Sequence, residues 1–240
     1  MIVDRCFAPT DAPAHDAMLA DYYRLRAGEY EAVYAKPERQ AELVLLRTWL
    51  ADAVRGRRVL ELACGAGYWT AVAAPLARSI DAFDVNDETL ALARAKGLAR
   101  TRFAIGDAYA PIAGDYDCVL ACFWWSHVPL SDRGRFMRGA VAAARPGARL
   151  IMIDNVYAEG SSTPISRRDG GGNTFQMRAL ADGSRHEVLK NFPAEAELRA
   201  ALAPTAAQST ARSCAITGAS RPLSSRRFVR RRGSALGREL

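Results

Sequence analysis

From residue 58 to residue 155 the chain alternates between short apolar segments, typical of buried strands, and Ala-rich segments with helical spacing. This alternation predicts an α/β fold with a doubly wound, mostly parallel sheet and helices on both faces, because strand–helix–strand units join parallel strands. The predicted strands are 58–63, 79–86, 101–108, 116–125 and 148–156. The predicted helices between them are 68–79, 87–97 with Asp87 as its cap, and a third that begins at Ser131 and ends before Pro146 and Gly147.

The flanking segments predict one domain over residues 1–204. Two helices are predicted within 16–55, the first over 18–34 and the second over 37–54, with Pro37 at its start. The core follows at 57–155. A hairpin and a helix occupy 156–204, because apolar segments at 173–180 and 185–192 flank an Ala-Asp-Gly-Ser turn. With 240 residues and 50% hydrophobic content, the chain can bury one substantial core.

The segment 205–240 differs in composition from the rest of the chain. It carries eight arginines and one glutamate, which equals the whole net charge of +7, so residues 1–204 are formally neutral. Two explanations remain open: a disordered basic tail, or a shifted reading frame in a GC-rich gene that replaces the native last strands. Either one makes a final strand pair doubtful and predicts that the fifth strand lacks a neighbour.

Composition also limits the classes of partner. A neutral body without a basic face interleaved with aromatics gives no reason to expect nucleic-acid binding. We expect a cytoplasmic protein that binds no membrane, because the chain has neither a membrane-spanning apolar run nor a signal peptide. Five cysteines without a Cys-x-x-Cys pair predict buried thiols and no metal site.

The first predicted strand leads into a turn of small residues, in the segment Val-Leu-Glu-Leu-Ala-Cys-Gly-Ala-Gly-Tyr-Trp-Thr at 59–70. Gly65 and Gly67 allow a sharp turn and let a ligand approach the bare backbone at the start of a helix. A Gly-x-Gly turn by itself also suits an ordinary strand-to-helix connection. The residues that end the next strands decide between these interpretations.

Two acidic residues lie at the ends of those strands. Asp84 ends the second predicted strand and Asp107 ends the third. Ligands of open α/β sheets bind at the carboxyl ends of strands, where Asp84 can accept hydrogen bonds from ribose hydroxyls and Asp107 from an exocyclic amine. Either acid alone could be a helix cap. Together, beside the glycine turn, they predict a site for a nucleoside-containing ligand.

Four segments, 59–70, 80–94, 103–108 and 116–129, resemble in order and spacing the motifs of class I S-adenosylmethionine-dependent methyltransferases. The resemblance implies a Rossmann-like fold and S-adenosyl-L-methionine as cofactor. It implies that Asp84 binds the ribose and that Asp107 and Ala108 bind the adenine. The methionine portion would contact Glu61, Ala63, Gly65 and Gly67. Val85 and Phe123 are also expected to bind the cofactor.

A nicotinamide dehydrogenase is the alternative within the same architecture. Its Gly-x-Gly-x-x-Gly fingerprint requires a third glycine where this chain has Thr70. Glu61 would repel a pyrophosphate but suit a cofactor with an ammonium and a sulfonium. The sign of this charge therefore favours methyl transfer.

The N-terminal segment predicts a helical lid, since Tyr22, Tyr23, Arg26 and Tyr30 form a stripe at helical spacing. In similar methyltransferases such a helix covers the cofactor, which would bring Tyr23 and Arg26 near its carboxylate. The alternative is an amphipathic helix whose tyrosines only pack.

His127, in the segment Phe-Trp-Trp-Ser-His-Val-Pro after the fourth strand, is the candidate general base or substrate contact. A structural histidine bonded to the backbone is the alternative. Substrate contacts are expected beyond the fifth strand, from Asn155, Tyr157, Arg168 and Arg178. The predicted function is methyl transfer to a small-molecule acceptor; the alternative is a non-catalytic cofactor-binding or regulatory module.

Overall fold

The computed structural model describes residues 14–202 and 208–214. The helices are α1 (Ala14–Leu25), α2 (Gln40–Ala53), α3 (Tyr68–Ala73), α4 (Asp87–Ala95), α5 (Arg133–Ala142) and α6 (Glu195–Leu202). The strands are β1 (Arg58–Leu62), β2 (Ser79–Asp84), β3 (Thr101–Ile105), β4 (Tyr116–Cys122), β5 (Ala144–Asn155), β6 (Ile165–Arg168), β7 (Thr174–Ala179), β8 (Arg185–Leu189) and β9 (Gln208–Cys214).

The larger sheet has the strand order β3-β2-β1-β4-β5-β9, and all neighbouring strands run parallel. Its first five strands are those predicted from the sequence, and the doubly wound α/β architecture is confirmed. The winding direction reverses between β1 and β4. The crevice at the carboxyl ends of these two strands is therefore the expected place for a ligand.

Helices cover both faces of this sheet because successive strand residues point to opposite sides. Val59 belongs to a core shared with α2, α3 and α4, whereas Leu60 belongs to a second core shared with α5 and α6. Both side chains are fully buried. Burial on two sides explains why these strands are nearly continuous apolar runs.

The N-terminal helices are more divided than predicted. The predicted helix over 18–34 consists of α1 and a separate 3₁₀ helix over Ala27–Tyr34. Gly28 lies at the start of the second piece, where a glycine within a continuous α-helix would cost about 1 kcal/mol. The next predicted helix likewise starts with a 3₁₀ turn, Pro37–Arg39, before α2.

Other helix boundaries also differ from the prediction. Helix α3 ends at Ala73, well before residue 79, and α5 begins at Arg133 after a 3₁₀ turn that includes Ser131. Asn86 occupies the N-cap position of α4, so the prediction of Asp87 as the cap is wrong. Asn86 makes no side-chain cap bond; instead its backbone carbonyl accepts a hydrogen bond from the Thr89 hydroxyl at 2.9 Å.

A second, antiparallel sheet contains the predicted hairpin. Strands β7 and β8 pair with each other, and β6 adds a third strand beside β7. Helix α1 packs on this sheet through Leu19 and Tyr22, which form a small core with Leu180 and Val188. The N-terminal helix is thus anchored to the hairpin.

The fifth strand has a neighbour, so the prediction that it lacks one is wrong. Strand β9 pairs in parallel with β5, from Gln208 opposite Arg149 to Cys214 opposite Asn155. The segment 208–214 has no apolar pattern from which a strand could be predicted. It can still pair with β5, because strand pairing uses backbone groups that every non-proline residue supplies. The rest of the predicted tail, 205–207 and 215–240, lies outside the described residues.

Candidate active site

The turn after β1 has an unusual backbone. Gly65 and Gly67 have φ angles of +55° and +77°, and Ala63 before them has a φ of +52°. A Cβ atom at Gly67 would lie 2.9 Å from the Cβ of Ala93 in α4. The predicted glycine turn is therefore required both by its left-handed conformation and by close helix packing.

Asp84 connects the end of β2 to this turn. Its Oδ2 accepts a hydrogen bond from the Gly65 amide at 2.8 Å, and its Oδ1 accepts one from the Asn86 amide at 3.0 Å. The Thr89 hydroxyl also lies 3.3 Å from Oδ1, but its single proton is shared with the shorter bond to the Asn86 carbonyl. A carboxylate has about four acceptor positions, so capacity for ligand hydroxyls remains. Burial raises the pKa of Asp84, and the backbone amides partly offset that effect.

Glu61 lies beneath the turn and is 1% exposed. Its Oε2 has no hydrogen-bond partner among the described residues. Burial raises the pKa of Glu61 to about 8, with a smaller contribution from the charge of Asp84. The carboxyl group is therefore mostly protonated at pH 7, so the argument from its negative charge applies only when a cation is bound beside it.

The raised pKa predicts how stability changes with pH. The folded state holds the Glu61 proton more tightly than the unfolded state does, so the stabilisation is complete below pH 4.5 and is lost as pH rises through 8. We expect the contribution of Glu61 to the free energy of unfolding to fall by about 2 kcal/mol as the pH rises from 5 to 7. Urea unfolding at several pH values should show this decline in the parent and a flatter profile in Glu61→Gln. Glu88→Gln, at an exposed position, is the control; equal profiles in all three proteins would contradict the assignment.

The predicted adenine-binding residues lie at the same edge of the sheet. Val85 is 51% exposed directly after β2, an unusual position for an aliphatic side chain beside a buried strand. The Asp107 Oδ1 accepts a hydrogen bond from the Tyr109 amide at 2.8 Å, and Ala108 is buried. Val85 thus offers an apolar surface beside the acidic residues of the turn.

A cavity of about 550 Å³ lies between α1, the 3₁₀ helix Ala27–Tyr34, β7 and the segment after β5; we call it the hairpin cavity. Four of the predicted site residues line it: Tyr23, Arg26, Phe123 and His127. The other predicted site residues do not, namely Glu61, Ala63, Gly65, Gly67, Asp84, Val85, Asp107 and Ala108. The predicted residues thus form two adjacent groups.

Tyr30 lies between the two groups. It lines the hairpin cavity, and a Cβ atom at Gly65 would lie 2.8 Å from the Cζ of its ring. Of the predicted substrate residues, Asn155 and Arg178 line the cavity, whereas Tyr157 and Arg168 do not. The hairpin cavity therefore extends from the Tyr30 ring, beside the glycine turn, to the segment that follows β5.

The environment of His127 determines its tautomer. Its Nδ1 lies 2.7 Å from the Leu189 carbonyl oxygen, which can only accept, so Nδ1 carries the proton. Its Nε2 is then an acceptor and lies 2.8 Å from the Tyr23 hydroxyl, which donates to it. Burial, followed by the charges of Lys190 and Arg178, holds the pKa of His127 well below 6.5. The imidazole is neutral, and its one basic nitrogen faces the lid.

Lys190 and Asp154 were missed by the sequence prediction. The Lys190 Nζ lies 3.6 Å from the Asp154 Oδ1 and 3.4 Å from the Nε2 of His127, and both charged side chains are buried. Burial lowers the pKa of Lys190 to about 8, against the opposing effect of Asp154. A lysine inside the apolar segment Val-Leu-Lys-Asn-Phe was the available signal for a buried functional group.

Comparison with known protein families gives one matching family model, described as a methyltransferase domain, over residues 59–147. A ubiquinone biosynthesis O-methyltransferase of Bordetella avium (strain 197N) is 29% identical over 104 residues. That match covers 41% of this chain and 42% of the relative, so it spans less than half the length of either protein.

Among solved structures, a DhpI–SAH complex is 30% identical and aligns over 79% of this chain and 86% of that chain, with a TM-score of 0.64. A DhpI–SAM–HEP complex is also 30% identical, with coverage of 81% and 90% and the same TM-score. The similarity to these complexes extends beyond β1–β5, because the aligned share is about twice that of the family model.

Proposed function

The chain belongs to the class I S-adenosylmethionine-dependent methyltransferase family, and from that premise we propose that it transfers a methyl group from S-adenosylmethionine to a small-molecule acceptor. The observation that carries this proposal is the position of the hairpin cavity. It adjoins the glycine turn through Tyr30 and contains a neutral histidine, His127, whose unprotonated Nε2 accepts a hydrogen bond from the Tyr23 hydroxyl. Methyl transfer needs a cavity that aligns the acceptor beside the cofactor.

The residues at the carboxyl edge of the sheet suit this cofactor. The unpartnered Oε2 of Glu61 could accept a hydrogen bond from its ammonium group, and Asp84 has acceptor capacity for the ribose hydroxyls. Val85 offers an apolar surface to the adenine, and Asp107, predicted as the last residue of the third strand, lies two residues beyond the end of β3. When bound, S-adenosylmethionine supplies an electrophilic methyl group on a sulfonium. We also assign to cofactor binding the remaining predicted residues: Ala63, Gly65 and Gly67 of the glycine turn, Ala108, and Phe123 on the side of the hairpin cavity.

We assign His127 the role of general base. An acceptor hydroxyl can replace the Tyr23 hydroxyl as the hydrogen-bond donor to Nε2, or it can bond to the Tyr23 hydroxyl. In either position it can release its proton to Nε2, directly or through Tyr23. The Leu189 carbonyl holds the ring in the tautomer that leaves Nε2 unprotonated. Tyr23 and Arg26 border the same space from α1 and its C-terminal end, and Arg26 is our candidate for the carboxylate of the cofactor.

His127→Asn tests this role. The asparagine amide can still donate to the Leu189 carbonyl but cannot replace Nε2, so we expect kcat to fall by about a hundredfold. The affinity for S-adenosylmethionine should change by less than about twofold. Because the pKa of His127 lies well below 6.5, the parent enzyme should lose no activity through this residue between pH 6.5 and pH 8.

His186→Asn is the matched control, since His186 lies on β8 outside the hairpin cavity and its ring bonds to Ser184. A lower melting temperature with a proportional loss of activity in His127→Asn would show that His127 is a structural residue. Steady-state kinetics, calorimetry and thermal unfolding on both variants separate these outcomes.

The function itself is tested by calorimetric titration with S-adenosylmethionine and NAD, followed by a metabolite screen scored by formation of S-adenosylhomocysteine. We expect binding of S-adenosylmethionine and turnover with at least one acceptor. Preferential binding of NAD would reject the assignment. Binding of S-adenosylmethionine without turnover in the screen would instead favour the non-catalytic module.

A further inference from the structure

The hairpin cavity has an excess of positive charge. Arg26, Lys36, Arg39, Arg178 and Lys190 line it, against one lining carboxylate, that of Glu29. The Glu29 carboxylate accepts a hydrogen bond from the Ala181 backbone amide at 2.9 Å. Buried or half-buried charges are normally paired, so this excess calls for a partner.

Two of these cations converge on the reactive end of the cavity without a carboxylate partner. Burial and the charge of Lys190 lower the pKa of His127 most, and the charges of Arg178 and Arg26 lower it further. Lys190 has its partner in Asp154. Among the described residues, no carboxylate lies within ion-pair distance of Arg26 or Arg178, although both side chains are half-buried.

Arg178 is held in a defined orientation. Its Nη2 and Nε donate to the Oε1 of Gln176, at 2.8 Å and 3.3 Å, and Gln176 is itself buried. Gln176 is anchored in turn by a hydrogen bond from its Nε2 to the Thr163 carbonyl. A guanidinium has five N–H donors, so three remain for a ligand. An uncharged, anchored partner orients Arg178 without neutralising it.

We propose that the methyl acceptor carries an oxyanion, a carboxylate or a phosphate, which Arg178 binds in the hairpin cavity. This inference rests on the proposed function, with Arg26 assigned to the carboxylate of the cofactor and Arg178 left for the acceptor. A planar guanidinium matches both kinds of oxyanion through paired hydrogen bonds. The anion would also offset the positive charges that surround His127 and so make Nε2 a better base in the complex.

The test uses the full-length protein saturated with S-adenosylhomocysteine and titrated calorimetrically with inorganic phosphate, benzoate and, as a cationic probe, choline. We expect phosphate or benzoate to bind and choline not to bind; the better of the two identifies the kind of oxyanion. Arg178→Gln should weaken the oxyanion by at least about tenfold, and Arg178→Lys, which keeps the charge but not the fork, by less. Affinity for S-adenosylhomocysteine should remain the same in both variants.

Arg185→Gln is the control, because it removes one positive charge from an exposed site on the adjacent strand, opposite Ala179. Absence of oxyanion binding by the parent, equal binding of choline, or equal losses in Arg178→Gln and Arg185→Gln would each overturn the proposal. Failure to bind S-adenosylhomocysteine would overturn the proposed function as well, so the two failures are distinguishable.

Discussion

Asp84→Ala is expected to weaken the binding of S-adenosylmethionine by more than about a hundredfold, equivalent to about 3 kcal/mol. Two effects add. The variant loses the charge-assisted hydrogen bonds that the carboxylate would make to the ribose hydroxyls. It also frees the Gly65 amide, which the Oδ2 of Asp84 now holds at 2.8 Å, so the glycine turn loses its anchor. Isothermal titration calorimetry measures the loss.

Asp87→Ala is the matched control for Asp84→Ala. Asp87 begins α4 three residues later and carries the same charge, but it is exposed and pairs with Arg94 at the surface. Its removal should leave the affinity within about twofold of the parent value. If Asp84→Ala kept the parent's affinity while remaining folded in a thermal melt, the proposed cofactor site would be wrong.

Asp154→Ala is expected to lower the free energy of unfolding by about 4 kcal/mol, because it leaves Lys190 buried without its partner. The same carboxylate accepts hydrogen bonds from the backbone amides of Ser126 and Asn155, at 2.6 Å and 2.7 Å, and these are also lost. Urea unfolding at pH 7 measures the change. The loss should be smaller at pH 9, because the pKa of Lys190 is about 8 and the lysine is then mostly neutral.

Two further variants make this prediction specific. Asp154→Ala/Lys190→Met should recover part of the lost stability, since it removes the unpaired charge but does not restore the amide partners. Asp52→Ala breaks an exposed ion pair with Arg55 and should cost less than about 1 kcal/mol. A double variant no more stable than Asp154→Ala would show that the backbone contacts, and not the charge on Lys190, account for the whole effect.

The sequence predicts the parallel sheet well because the relevant signals are local. Each core strand is an apolar run, and the positive φ angles of Gly65 and Gly67 have a direct signature in the glycines themselves. The same pattern predicts that Asp84 and Asp107 lie at the carboxyl ends of neighbouring strands: Asp84 ends β2, and Asp107 lies two residues beyond β3. Where the signal is weaker, as in the segment 208–214, the strand depends on pairing with β5 and not on an apolar pattern of its own.

The charged part of the candidate site could not be predicted in the same way. Lys190 meets Asp154 across two sheets, and no local spacing relates them. The surroundings of His127 show the same limit: its tautomer depends on the Leu189 carbonyl, and its low pKa depends on burial and on cations that are far from it in the sequence. Sequence identified the histidine, but its chemistry depends on residues of the hairpin.

The two groups of site residues lie on different supports. The glycine turn and Asp84 belong to the parallel sheet, whereas Arg178 and Lys190 belong to or directly follow the small antiparallel sheet on which α1 packs. Substitutions in the hairpin can therefore change which acceptor the cavity binds, while the parallel sheet that carries the glycine turn and Asp84 keeps its backbone unchanged. Such an arrangement allows acceptor preference to diverge among descendants, or to be engineered by exchanging residues 165–192, with methyl-donor binding retained.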